Sequence, residues 1–209
     1  MSPAQDHPAT APVRTAEIAD RAEGTRAALI TAARRLFVEK GYFTTGTEQI
    51  VAEACVGTRG ALYHHFENKQ ALFLAVFEAV AREVHDSAPP PDEGGDALTA
   101  LRTGLRRYLG SSRAGEVQRI LLVDGPAVLG WRQWRELQVR FGLGQIRELL
   151  ARAVEQERVR PLPLDMLAHV LLAATDEAAL FVANSPDPRA ARDQAVTVVD
   201  GLLESLSAR

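Results

Sequence analysis

What this chain lacks narrows it first. Cysteine occurs once, as Cys55, so no intrachain disulfide can form and a reducing compartment is expected. No glycine-rich phosphate loop is present, since Gly41 to Gly60 does not have the spacing of one. No cysteine or carboxylate stands near a histidine at zinc-site spacing, and no nucleophile motif occurs. Catalysis, a metal and a cofactor are therefore not expected. No segment alternates apolar and polar residues between turn signals, which disfavours a half-buried sheet and leaves an all-α fold. No charged stretch followed by an apolar run opens the chain, so the expected location is the cytoplasm rather than a secretory route.

What is present is a globular composition, with 46% hydrophobic residues in 209, enough for one ordinary domain plus a small one. Leu164 to Ala183 is apolar enough to raise the question of a membrane span. It also holds Asp165, His169, Asp176 and Glu177, and a carboxylate near a bilayer centre costs roughly 2.5–3.5 kcal/mol. A buried helix of a soluble domain is the better reading. The net charge of −3 divides unevenly. Residues 21–69 carry seven Lys/Arg against five Asp/Glu, a balance of +2, leaving −5 for the remainder. Contact with a polyanion is accordingly expected near the N-terminus.

Residues 1–20 hold Pro3, Pro8 and Pro12 without an apolar period and read as a flexible arm. From Arg26 to Lys40 the set Leu29, Ala32, Ala33, Leu36 and Phe37 repeats at three and four residues, with Thr25 as candidate N-cap and Gly41 as stop. Thr45 and Glu48 stand in capping-box spacing ahead of Ile50, Val51 and Ala54. Gly57 and Thr58 then break and restart the chain, and Asn68 can cap the next helix. Pro89 to Gly95 reads as a loop. Helical patterns resume at about 96–110, 114–122, 131–157, 164–184 and 188–206, giving about nine helices.

Three short helices between residues 25 and 66 suit a helix-turn-helix, whose second helix enters the major groove. In Thr58-Arg59-Gly60-Ala61-Leu62-Tyr63-His64-His65-Phe66, Leu62 and Phe66 lie four apart and can anchor the helix inward. The rest of that face suits nucleic acid. Arg59 can give two parallel hydrogen bonds to guanine, while Gly60 and Ala61 allow close approach to base edges. Tyr63 and His64 can donate to phosphates, and Lys69 adds charge at the start of the following helix. Adjacent histidines on a helix point about 100° apart, so His64 and His65 make a poor metal pair. Cys55 has no cationic neighbour to activate it and reads as a small buried hydrophobe.

The run from Ala32 to Tyr42, then Ile50, then Gly60-Ala61-Leu62-Tyr63-His64-His65-Phe66-Glu67-Asn68-Lys69-Gln70-Ala71-Leu72, resembles the DNA-binding domain of the tetracycline-repressor (TetR) family. The resemblance covers about a quarter of the chain. It implies an all-α homodimer: an N-terminal three-helix DNA-binding domain (21–68 after the 1–20 arm) and a C-terminal helical bundle (69–209). It also implies a palindromic double-stranded DNA operator and a small-molecule effector that releases it. Carried across, Thr45 and Thr47 fall where the family contacts phosphate, and Thr58, Arg59, Gly60 and Ala61 near the base-reading face. Tyr63, His64 and Lys69 fall on the DNA backbone. Between Ile50 and Tyr63 the chain has one residue more than the family pattern, and Cys55-Val56-Gly57 replaces its Gly-Val turn.

Beyond the resemblance, Phe77, Tyr108, Trp131, Trp134 and Phe141 are candidate pocket walls. Arg102, Asp124, Arg135, His169, Asp176 and Glu177 are candidate polar contacts to an effector. Leu171, Ala174, Ala178, Val199, Leu202 and Leu206 are candidates for the dimer interface. The rival reading is a helical small-molecule carrier without operator binding.

Overall fold

The computed structural model describes the backbone of residues 11–87, 95–110 and 114–208, and the side chains of 20–87, 95–110 and 115–208. All described elements are helical, apart from one isolated bridge between Val159 and Ser207. They divide into two compact units, Met1–Phe73 and Leu74–Arg209.

In the first unit, α1 runs Ala11–Lys40. Residues 1–10 of the expected arm lie outside the described residues, as does nearly all of the Pro89–Gly95 loop. The second half of the arm is helix. Pro12 stands in the first turn, where its missing N–H costs nothing, and Ala, Glu and Arg then favour helix. Thr25 consequently does not cap; its hydroxyl donates one turn back to the Arg21 carbonyl at 3.0 Å. The expected stop is real, with Gly41 at φ 84. Next come α2 (Thr47–Glu53), α3 (Arg59–His65) and α4 (Lys69–Asp86). The α2 cap falls one residue later than the spacing suggests: Gly46 is the N-cap and its N–H donates to the Gln49 side chain at 3.1 Å. Asn68 does accept from the Ala71 N–H, at 2.8 Å.

Leu29, Ala33, Leu36, Phe37, Ile50, Leu62, Phe66, Leu72 and Phe73 are buried. A fully buried side chain of this size stabilises by roughly 1.5–3 kcal/mol. The rings of Phe37, Tyr42 and Phe73 meet at centroid distances of 5.2–5.5 Å. The division between the two units falls after Phe73, within α4.

The second unit continues with α5 (Ala97–Leu109), capped by Asp96, and a short α6 (Ala114–Glu116). A π-helical stretch, Val117–Asp124, leads into α7 (Gly125–Gln138), and a second, Val139–Leu143, into α8 (Gly144–Glu155). The long α9 (Leu164–Asn184) and α10 (Pro188–Ser205) complete it. Gly125-Pro126 does not interrupt the helix, because Pro126 sits in the first turn of α7. The break is at Gly130, with φ 75 and ψ 159, a conformation open essentially to glycine alone. Leu101, Leu105, Leu149, Leu150, Ala168 and Leu203 lie in the core of this unit.

Candidate nucleic-acid interface and effector site

Helix α3 presents the face its sequence implies. Leu62 and Phe66 are buried, whereas Arg59, Gly60, Tyr63 and His64 are exposed and Ala61 half-buried. Thr58 is the N-cap, extended at φ −141, so α3 begins at Arg59 despite the lengthened turn. The extra residue is absorbed by two left-handed positions, Cys55 at φ 54 and Gly57 at φ 82. Cys55 closes α2 from outside and is exposed, not buried. The turn needs a left-handed backbone there, and no apolar side chain covers it.

Four side chains form a chain of contacts across α2 and α3. Arg59 Nη1 donates to Glu48 Oε1 at 2.8 Å. The Tyr63 hydroxyl lies beside the same guanidinium, with Thr47 beside it in turn. Arg59 pulls the Tyr63 hydroxyl below the usual tyrosine range, while Tyr63 and then Glu48 raise Arg59. The capping-box role that the spacing gives Glu48 falls to Gln49 instead, and its pairing with Arg59 leaves no local pattern, because an acidic residue in a first turn looks like ordinary dipole compensation.

Two residues expected at phosphate are engaged within the protein. Thr45 is 1% exposed, with its hydroxyl turned back to the Gly41 carbonyl at 2.7 Å. It holds the α1–α2 connection and does not face solvent. Lys69 donates to the carbonyls of Tyr42 at 2.9 Å and Thr45 at 3.0 Å, with its ammonium 4.1 Å from the Tyr42 ring centroid. Partial burial lowers its pKa. Lys69 is thus chiefly a clamp on the same connection.

In the second unit, α5, α7 and α9 bring four polar groups together. The Tyr108 hydroxyl donates to Asp176 Oδ1 and the Gln138 amide to Oδ2, both at 2.9 Å. Arg135 Nη1 donates to Gln138 Oε1 at 2.8 Å. Its guanidinium lies 5.2 and 5.8 Å from the ring centroids of Trp131 and Trp134, within cation–π range. Burial pushes the Asp176 carboxyl up to about 6, against the pull of Tyr108, Gln138 and Arg135. The Tyr108 hydroxyl is pushed up by burial and by the neighbouring carboxylate.

Of the eleven effector candidates, Tyr108, Trp131, Trp134, Arg135 and Asp176 thus converge. Gln138 was missed, although it lies one turn beyond Arg135 on the same face. Phe77 is buried beside Gly125, where an added Cβ would meet its ring at 2.9 Å and Trp134 at 3.1 Å. Asp124 is buried and paired with Arg119 Nε at 3.2 Å. The other four serve elsewhere. Arg102 lies along Asp200 and Glu204 at 3.8 and 3.7 Å. The Phe141 carbonyl meets His85 at 2.9 Å, and His169 meets the Asp165 carbonyl of its own helix at 2.7 Å. Glu177 is exposed.

The dimer candidates also divide. Leu171, Val199 and Leu206 are buried in the core of their own unit, so they are not free to meet a second chain. Ala178 packs partly against that core and Ala174 is half-buried. The outward stripe is instead Met166, Val170 and Phe181 of α9 with Val198 and Leu202 of α10. Leu202 alone of the six belongs to it.

A helix-turn-helix with an outward recognition face, followed by an all-helical second unit, defines a DNA-binding transcription regulator. Residues 29–76 match the model of the bacterial regulatory proteins of the tetR family, and residues 98–206 match a tetracyclin repressor-like C-terminal domain. A solved TetR-family regulator from Pectobacterium atrosepticum is 30% identical, with a TM-score of 0.72, covering 91% of this chain and 97% of that one. The Transposon Tn10 TetC protein of Escherichia coli is 23% identical over 88% of this chain and 93% of its own. The transcriptional repressor AcnR of Corynebacterium efficiens is 27% identical over 71% and 76%. The chain belongs to the TetR family.

Proposed function

We propose that this regulator is a cytoplasmic homodimeric repressor, released from a palindromic operator when a small molecule binds the second unit. The observation that carries the reading is α3, whose apolar residues are turned in and whose Arg59, Gly60, Tyr63 and His64 are left out. A dimer with two such helices about 34–36 Å apart reaches successive major grooves on one side of B-DNA.

The second copy is the proposed partner of the exposed stripe of Met166, Val170, Phe181, Val198 and Leu202. α9 is long and apolar enough by composition to cross a membrane. The dimer face accounts for that apolar surplus, and Asp176 is already hydrogen-bonded inside the unit. Effector contact is proposed at Tyr108, Gln138 and Asp176, with Trp131 and Trp134 as the aromatic walls. A ligand there lowers operator affinity by the difference in its affinity for the two states of the dimer. Repression needs only occlusion of the promoter, and the protein has no catalytic role in it.

The test is operator selection from random DNA, followed by sedimentation. Wild type is expected to enrich a two-fold symmetric sequence. Arg59→Ala is expected to bind it about tenfold or more weakly. Leu202→Glu is expected to sediment as a monomer. No enriched sequence would sink the reading; a dimeric Leu202→Glu would move the interface.

A further inference from the structure

We infer that Glu48 is a positioning residue for Arg59 that sets the protein's preference for guanine at one operator position. The inference rests on the DNA-reading role proposed above. Glu48 stands in the first turn of α2 and Arg59 opens α3, so the 2.8 Å bond between them joins the two helices of the motif across its irregular turn. Tyr63 lies beside the same guanidinium from within α3, and Thr47 lies beside Tyr63 from α2. An exposed arginine on a long stem would otherwise sample many directions, including those toward the phosphates flanking the groove. Here Glu48 biases its direction from α2 across the turn, while most of the N–H donors of its planar fork stay free.

Guanine alone offers two acceptors on its major-groove edge. Arg59 can meet that edge with its free donors while keeping Glu48. Reaching for a phosphate instead means leaving Glu48, which then faces a polyanion with its charge unpaired. Glu48 is itself largely exposed, with 73% of its side chain accessible, so solvent screens the pair and the bond is easily broken. The carboxylate therefore adds little stability. Its effect is differential: it is tolerated in the guanine complex and opposes the others, which is how specificity arises from a repulsive element.

The experiment is to measure base preference position by position, on the operator selected with wild-type protein, for Glu48→Gln, Glu48→Asp, Arg59→Ala and Glu48→Gln/Arg59→Ala. Glu48→Gln should lower the guanine preference at one base pair per half-site by about tenfold. It should also raise affinity for random-sequence DNA about threefold, since one opposing charge is gone. Glu48→Asp should restore part of the preference. In the Arg59→Ala background the Glu48 change should leave that position unmoved. An unchanged preference in Glu48→Gln overturns the inference. So does an even loss at all positions, or the same loss without Arg59. If wild type enriches no sequence, the regulator reading itself falls, and that outcome is read before any variant is compared.

Discussion

Two clusters in this molecule are built from nearly the same parts and behave oppositely. Each contains an arginine, a tyrosine, a carboxylate and a third hydrogen-bonding side chain. In the first unit Arg59, Tyr63, Glu48 and Thr47 lie at the surface, and the tyrosine hydroxyl is pulled below its ordinary pKa by the cation beside it. In the second unit Arg135, Tyr108, Asp176 and Gln138 are half-buried, and desolvation drives the tyrosine and the carboxyl upward. The difference is where the arginine sits. Arg59 meets the carboxylate of Glu48 directly, whereas Arg135 stacks on two indoles and reaches Asp176 only through Gln138. Water screens the first set, so it adds little to the stability of the fold. The second set leaves a half-buried, desolvated carboxyl held by neutral donors, which makes its charge expensive.

The largest effect should come from neutralising that carboxyl. Asp176 has a folded-state pKa of about 6 against an ordinary 3.8, so the folded protein holds this proton more tightly than the unfolded chain. Its contribution to stability is full below about pH 3.8 and is lost as pH rises through about 6. A displacement of about 2 units corresponds to about 3 kcal/mol. Asp176→Asn should remove that fall from the curve of denaturant stability against pH; curves of the same shape would show that the carboxyl is not desolvated.

Lys69 lies between the two regimes, half-buried over Tyr42. Lys69→Met leaves the carbonyls of Tyr42 and Thr45 without this donor and should destabilise the first unit by about 1–3 kcal/mol. The salt dependence of operator binding should change by clearly less than the one unit that a lost phosphate contact gives. A full unit with stability intact would return Lys69 to the DNA backbone. The smallest effect belongs to the surface set. Tyr63→Phe removes the hydroxyl beside Arg59, and should weaken operator binding about twofold with no change in stability. A large loss of stability would show that this cluster is as buried in practice as its counterpart.

The recognition helix was legible because Leu62 and Phe66 alone define its inner side and every neighbour has a chemistry suited to DNA. The differences come from partners that no pattern shows. Thr45 and Lys69 are the right residue types for phosphate, but both are engaged by carbonyls of the α1–α2 connection. α9 is apolar nearly all round, so its sequence leaves undetermined which side meets its own core. Leu171 faces inward, and Val170, one residue earlier, faces out. Gln138 was illegible for a different reason: a neutral amide gains its meaning only from the carboxylate that α9 brings to it.

The left-handed backbone at Cys55 has one further consequence. A residue with a β-carbon in that conformation costs roughly 1 kcal/mol, so Cys55→Gly offers a route to a firmer turn. As it stands, the chain's sole thiol is exposed between α2 and α3. A dye attached there labels one place in the whole protein, and its emission reports on the turn that sets the pitch of the recognition helix.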